Sequence, residues 1–303
     1  MTSHIPVLQN EVIAAFEGAS IPTFFDGTVG AGGHAASLLQ AHPEVTRYLA
    51  CDRDPKAHEL AKKRLEPWGE KVEFIRGSYS DLDRFLEEKE IVTIDGFLID
   101  IGVSSMQLDA GERGFSFRFE GPLDMRMDPE NTLTADKIVN EYSKADLERI
   151  FWDYGEERQS RRAAEAIVQA RKKKRITTTT ELIAIVKPVL KWGAIHPATL
   201  IFQALRIEVN DELGELKRGL VSAIQRLSPD GRLAVISFHS LEDRIAKHIL
   251  KEWEIKPAKK NRLPSGCLEI MTKKPIVATD TESRSNPRSR SAKLRVARKV
   301  ALC

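Results

Sequence analysis

The chain has 303 residues, 42% of them apolar and 30% charged, and a formal net charge of +3. Mean hydropathy is −0.32, and no stretch nears the ~20 apolar residues that cross a bilayer, which excludes membrane-spanning, collagen-like and disordered chains. The length suits two domains, or one large domain with an insertion, at ~150 residues per domain.

In chain order, Thr23–Asp26 reads as a strand entering a Gly-rich turn, and His34–Gln40 as the helix after it. Tyr48–Asp52, Val72–Ile75 and Phe97–Asp100 are predicted strands. Between them lie predicted helices at Pro55–Leu65, opened by proline, and Ser80–Glu88, opened near Ser80 or Asp81. This alternation predicts an α/β fold with a parallel, doubly wound sheet. It stops at Gly102. Apolar residues at helical spacing then mark 134–142, 144–154, 157–174, 180–191 and 197–227. Strand character returns at 233–238, and a helix at 241–253 precedes strand-like 268–271 and 275–278. The pattern predicts a discontinuous sheet domain, 1–107 with 201–303, and a helical insertion over 108–200.

Cys51, Cys267 and Cys303 form no CxxC pair, and the histidines lack zinc-ligand spacing, so no metal is expected. Few cysteines and no secretory pattern at the N-terminus make a cytoplasmic home the expected one. Charge is concentrated in two places. Residues 158–175 hold eight cations against the single acid Glu165, and 284–303 hold seven cations and no acid. On a net acidic remainder these patches suit a polyanionic partner, with solvated helix and tail surfaces as the plain alternative.

The run Asp26-Gly-Thr-Val-Gly-Ala-Gly-Gly-His34 lies between a strand and a helix. Glycines let the backbone turn sharply and let a ligand approach amides at a helix start. Asp52 and Asp100 end the next strand and the fourth, on the rim where open α/β sheets bind ligands. Two cofactors fit. A nicotinamide dinucleotide suits the G-x-G-x-x-A spacing of Gly30–Ala35. S-adenosylmethionine suits an acidic strand end followed by a Gly-rich turn, as in class I methyltransferases. Asp26 favours the second, because a carboxylate suits an ammonium group and repels a pyrophosphate.

The stretch from Asp100 to Asp128 mixes hydroxyls, carboxylates, arginines and phenylalanines. Arginine can hold phosphate, and an aromatic ring can stack on an unpaired base. Within it, Leu123-Asp-Met-Arg-Met-Asp128 resembles the signature of the MraW family of ribosomal RNA small subunit methyltransferases. Other blocks are similar to the family's in order: His4–Leu8, Gly30–His34, Tyr154-Gly-Glu-Glu-Arg158, Phe202–Ile207, Ser237–Arg244, Thr272–Pro275 and Asn286–Arg295. Leu200 stands where the family usually has Arg, and Arg298 where Glu is common.

The resemblance implies a class I methyltransferase domain with an inserted helical domain. It implies methylation of the exocyclic N4 amine of one cytidine in the decoding region of small-subunit ribosomal RNA, with S-adenosylmethionine as cofactor. Implied cofactor contacts are Gly32, Gly33, His34, Asp52, Tyr79, Asp100 and Gln107, with Asp52 on the ribose and Tyr79 against adenine. The partner would be the RNA or the assembled small subunit. The insertion could serve RNA docking or a homodimer.

A cytosine amine is a poor nucleophile, so an acceptor facing it should take its proton. Asp100, Ser104 and Ser105 are the candidates, with Asp124 an outside one. Phe115, Phe117, Phe119 and Arg113 could stack on an unstacked base, although each phenylalanine suits the core equally well. Candidate RNA contacts are Arg113, Arg118 and Arg126, then Arg171, Lys172 and Lys173, and Arg288 and Arg290 in the tail, joined there by Lys293 and Arg295. His239, at the end of a late strand, reads as a structural hydrogen-bonding group or as one that orients substrate.

Overall fold

The computed structural model describes residues 6–104, 107–108, 110–191, 196–256 and 266–300. The chain forms two compact units, 1–102 with 213–303, and 103–212. Its strands are β1 (Thr23–Asp26), β2 (Arg47–Asp52), β3 (Val72–Arg76), β4 (Ile94–Asp100), β5 (Leu227–Ser237), β6 (Leu268–Ile270), β7 (Ile276–Val277) and β8 (Lys293–Lys299). Its helices are α1 (Gln9–Phe16), α2 (Gly33–Ala41), α3 (Pro55–Leu65), α4 (Leu82–Glu88), α5 (Ala135–Glu141), α6 (Lys144–Asp153), α7 (Ser160–Arg171), α8 (Thr179–Val186), α9 (Ala198–Asn210), α10 (Glu212–Arg226), α11 (Ser240–Glu252) and α12 (Asp280–Ser285).

The first unit is built on one sheet, ordered β3-β2-β1-β4-β5-β8-β6, with β7 also on β8. β1 to β5 run parallel, and β8 is antiparallel to its neighbours. Side chains alternate along a strand, so each strand feeds two cores. Phe25, Leu49, Phe97, Ile99 and Val235 pack with Leu82 and Phe85 of α4 and Leu216 and Leu220 of α10. Phe24, Tyr48, Leu98 and Ile236 pack with Phe16 of α1, Leu38 of α2 and Leu65 of α3. A parallel sheet covered on both faces needs such continuous apolar strands, and this is the doubly wound α/β fold that the alternation predicts.

The second unit is helical. Thr134, Ser143 and Thr178 accept N–H bonds from Lys137, Asp146 and Glu181, capping α5, α6 and α8. Ile138, Leu147, Phe151, Ile167, Leu182, Phe202 and Leu205 share its core. The unit is wider than the predicted 108–200 because α9 belongs to that core. The predicted helix over 197–227 is in fact two. Asp211 takes φ 47 and caps α9, so the chain turns before α10 begins at Glu212. Asn210 then fastens the preceding loop: its Nδ2 donates to the Met125 carbonyl at 2.8 Å and its Oδ1 accepts from the Met127 N–H at 2.8 Å.

Four of the seven cations of the basic tail lie on β8. Lys293 and Arg295 pair with Asp243 of α11 at 3.3 and 2.7 Å, and Arg298 pairs with Glu269 of β6 at 2.6 Å. Lys299 donates to the Gln225 carbonyl at 3.0 Å. These cations neutralise acids within the sheet unit, which corrects the reading of Lys293 and Arg295 as phosphate contacts.

Candidate active site

Past Asp26 the chain turns through Gly27 to Gly32 into α2. Gly30 and Gly32 adopt φ 53 and 77, in the left-handed region that glycine enters at little cost. Asp52 holds this loop. Its Oδ2 accepts from the Gly30 N–H and its Oδ1 from the Asp54 N–H, both at 2.9 Å. Burial pushes the Asp52 carboxyl up, and the two N–H bonds oppose that. A Cβ at Gly27 would fall 2.7 Å from both Ile99 Cγ2 and Tyr79 Cβ, and one at Gly219 of α10 would fall 2.4 Å from Tyr79 Cδ2. Two glycines thus make room for Tyr79. Tyr79 is 6% exposed, a floor beneath the loop. Any contact of Tyr79 with adenine would be made from this buried position. Gly219 gives no local sequence signal, since its partner lies far away in the chain.

Three strand-end acids differ in what their oxygens do. Asp26 is 1% exposed. It accepts from the Thr28 N–H at 3.1 Å and the Tyr48 O–H at 2.9 Å, and burial pushes its carboxyl up to about 7. It is sealed under the loop, so the expected ammonium contact is corrected. Asp100 is different. Its N–H donates to Thr28 Oγ1 at 2.7 Å. Its Oδ2 stands 3.8 Å from Nε2 of His34, in the first turn of α2. Its Oδ1 is buried with no hydrogen-bond partner among the described residues. Burial, then the charges of Asp26 and Glu242, push the Asp100 carboxyl up to about 8. A buried acceptor left unmet costs ~1–3 kcal/mol, so this rim demands a donor or a cation.

His239 makes a structural bond through Nδ1. Its Nδ1 accepts from the Glu242 N–H at 3.4 Å, while Glu242 Oε2 accepts from the N–H groups of Phe238 and His239 at 2.7 and 3.2 Å. This reciprocal cap opens α11.

In the helical unit, Gln107 is buried and exchanges bonds with Ser104: Ser104 N–H donates to Gln107 Oε1 at 3.1 Å, and Gln107 N–H to Ser104 Oγ at 3.3 Å. Ser105 lies outside the described residues. Asp124 holds the Arg126 guanidinium through both oxygens, at 2.9 and 2.8 Å, and that cation keeps its carboxyl below the usual range despite partial burial. It is committed to Arg126, which corrects its candidacy as proton acceptor.

Several arginines read as RNA contacts hold the fold instead. Arg126 also donates to the carbonyls of Pro129 and Asn131, both at 2.8 Å. Arg113 donates to those of Arg126 and Met127 at 2.7 and 3.1 Å, and Arg171 to those of Val139 and Tyr142 at 2.7 and 2.6 Å. Arg118, Lys172 and Lys173 are exposed, as is Arg290, which donates to the Ser283 carbonyl at 3.3 Å; Arg288 is half-buried. Phe115 is buried beneath the Arg113 guanidinium at 5.6 Å. Phe117 packs on His196 and Phe202 at 4.7 and 5.2 Å. Phe119, at 53% exposure, keeps an open face.

Residues 1–300 match the MraW methylase family. The chain is similar to ribosomal RNA small subunit methyltransferase H of Persephonella marina, 49% identical over 99% of this chain and 100% of the relative. The protein of the same name from Heliobacterium mobile is 46% identical over 98% of this chain and 99% of its own. That from Protochlamydia amoebophila is 50% identical over 98% and 97%.

Proposed function

The chain belongs to the MraW methylase family, and from that premise we propose that it is an S-adenosylmethionine-dependent methyltransferase of small-subunit ribosomal RNA. Its target is the exocyclic N4 amine of one cytidine in the decoding region, methylated in the cytoplasm. The sheet unit is the cofactor-binding domain and the helical unit the RNA-recognition domain. One observation carries the reading: Asp100, at the carboxyl end of β4, has a buried oxygen with no partner among the described residues.

The residues present fit the cofactor. Gly32, Gly33, His34, Asp52 and Asp100 of the sheet unit would hold it. Asp52 keeps acceptor capacity beyond its two N–H bonds, which suits a ribose diol. The unmet acceptor of Asp100 suits a cationic, donor-bearing ligand. S-adenosylmethionine would supply an electrophilic methyl group. The chain's own task is to align the amine, worth ~7 kcal/mol or more, and to remove its proton. Asp100, with a carboxyl at about 8, is matched to that transfer near neutral pH. Ser104 is the alternative acceptor. Phe119 and Arg118 offer an exposed ring and guanidinium to the substrate.

The test is methyl transfer from labelled S-adenosylmethionine to small subunits and to naked small-subunit RNA, both from cells lacking the enzyme, followed by nucleoside analysis. Labelled N4-methylcytidine at one decoding-region position is expected. An Asp100→Asn variant should lose ~10²-fold or more in rate. Label in another nucleoside, or none on either substrate when cofactor binding is intact, would overturn the reading.

A further inference from the structure

α7 buries Ala163, Ala164 and Ile167. At ~100° per residue, Arg161, Arg162, Lys172 and Lys173 fall on the opposite face, and all four are exposed, as is Arg158 in the turn before. Among the described residues none of these five has an ion-pair partner; Lys172 reaches only the neutral amide of Gln169, at 3.5 Å. Cations beside the stripe are paired: Lys174 with Glu181, and Arg175 with Asp136 and Glu141. The acid on this face, Glu165, is paired with Lys144. The first turn of α7 contains no acid, so Arg161 and Arg162 stand against a helix dipole that favours anions there. Neither intrahelical electrostatics nor pairing accounts for them.

Trp152, in the last turn of α6, is 58% exposed. The link to α7 is tied by N–H bonds from Glu156 to the Trp152 carbonyl at 3.1 Å, from Glu157 to that of Phe151 at 3.0 Å, and from Ser160 to that of Glu157 at 3.1 Å. The ring and the three arginines therefore share one end of the helix pair. A large exposed aromatic beside unpaired guanidinium groups has the chemistry of a base-stacking platform with phosphate holders.

We infer that this face of the helical unit binds ribosomal RNA, with the cations along its phosphates and Trp152 stacked on an unpaired base. The inference rests on the reading of the chain as a ribosomal RNA methyltransferase. From Arg161 to Lys173 the stripe spans ~18 Å, long enough to follow several phosphates of a single strand.

Binding of naked small-subunit RNA and of small subunits, both from cells lacking the enzyme, is measured from 50 to 300 mM salt. The proteins are wild type, R161A/R162A, K172A/K173A and W152A. Each double variant should lower the slope of log K against log salt by about 1.4, from two single-strand phosphate contacts at ~0.7 each. W152A should weaken binding about tenfold and leave the slope unchanged. Unchanged affinity for S-adenosylmethionine shows that the sheet unit is intact, and unchanged far-UV circular dichroism that the helices are. Wild-type slopes and affinities in all three variants would overturn the inference. So would losses on subunits but not on naked RNA, which would assign the face to a protein of the subunit. Losses on naked RNA in a chain that transfers no methyl group would uphold this surface and overturn the methyltransferase reading alone.

Discussion

Replacing Asp100 by asparagine should change how stability depends on pH. Its carboxyl ionises at an ordinary 3.8 when unfolded and at about 8 when folded. Between those values the folded protein binds more protons than the unfolded chain. Stability therefore falls as pH rises, by ~1.4 kcal/mol per pH unit for a fully retained proton, and levels off above about 8. From pH 5.5 to 7.5 the full effect would be ~2–3 kcal/mol; with 28% of the side chain exposed, solvent screening reduces it to ~1–2 kcal/mol. Asparagine removes this contribution. Asp26, pushed up to about 7, produces its own decline in both proteins, so the difference between variant and wild type reports Asp100 together with its charge coupling to Asp26. Urea unfolding at pH 5.5, 6.5, 7.5 and 8.5 should show the variant gaining on wild type across the first two steps and levelling off in the third, beyond about 8. Parallel curves would mean that Asp100 is ionised in the folded protein, and the argument from its buried oxygen would fail.

Gly27→Ala should destabilise the sheet unit by ~1–3 kcal/mol and weaken cofactor binding, because the new methyl meets Ile99 Cγ2 and Tyr79 Cβ at 2.7 Å and neither can swing aside. A variant that unfolds at the wild-type urea midpoint would contradict the packing beneath the loop. Arg298→Ala removes partly exposed pairs with Glu269 and Asp230 and should cost less than ~1 kcal/mol. Its RNA-binding salt slope should match wild type; a reduced slope would return this part of the tail to the RNA surface.

The sheet was legible because its strands are short apolar runs with one glycine-rich turn, and because Asp54 and Pro55 announce α3. The insertion was legible through helical spacing and its Ser and Thr caps. The break at Asp211 was not, because aspartate enters the left-handed region at modest cost and apolar spacing continues past it. The tail carried a signal that its charge obscured. In Lys293-Leu-Arg-Val-Ala-Arg298 the buried Leu294 and Val296 alternate with Lys293, Arg295 and Ala297, the period-two pattern of a strand. The fates of Arg113, Arg126 and Arg171 had no sequence signal. Their partners are backbone carbonyls brought near by folding, and guanidinium is suited to such sites by its fork of donors.

Asp26, Asp52 and Asp100 share a residue type and a place at strand ends, yet they cannot be tested alike. Removing Asp26 leaves the buried Tyr48 hydroxyl without its acceptor, and removing Asp52 releases the Gly30 amide from the loop. Either change would reduce activity by disturbing the loop, whatever that acid does in the reaction. Oδ1 of Asp100 has no hydrogen bond from the fold among the described residues, and Oδ2 lies 3.8 Å from His34 Nε2; the backbone N–H, which a substitution retains, makes the bond to Thr28. Loss of cofactor affinity or turnover in Asp100→Asn, with folding intact, therefore reports on what that carboxyl does for ligand and substrate, an assignment that the same substitution at the other two acids cannot make.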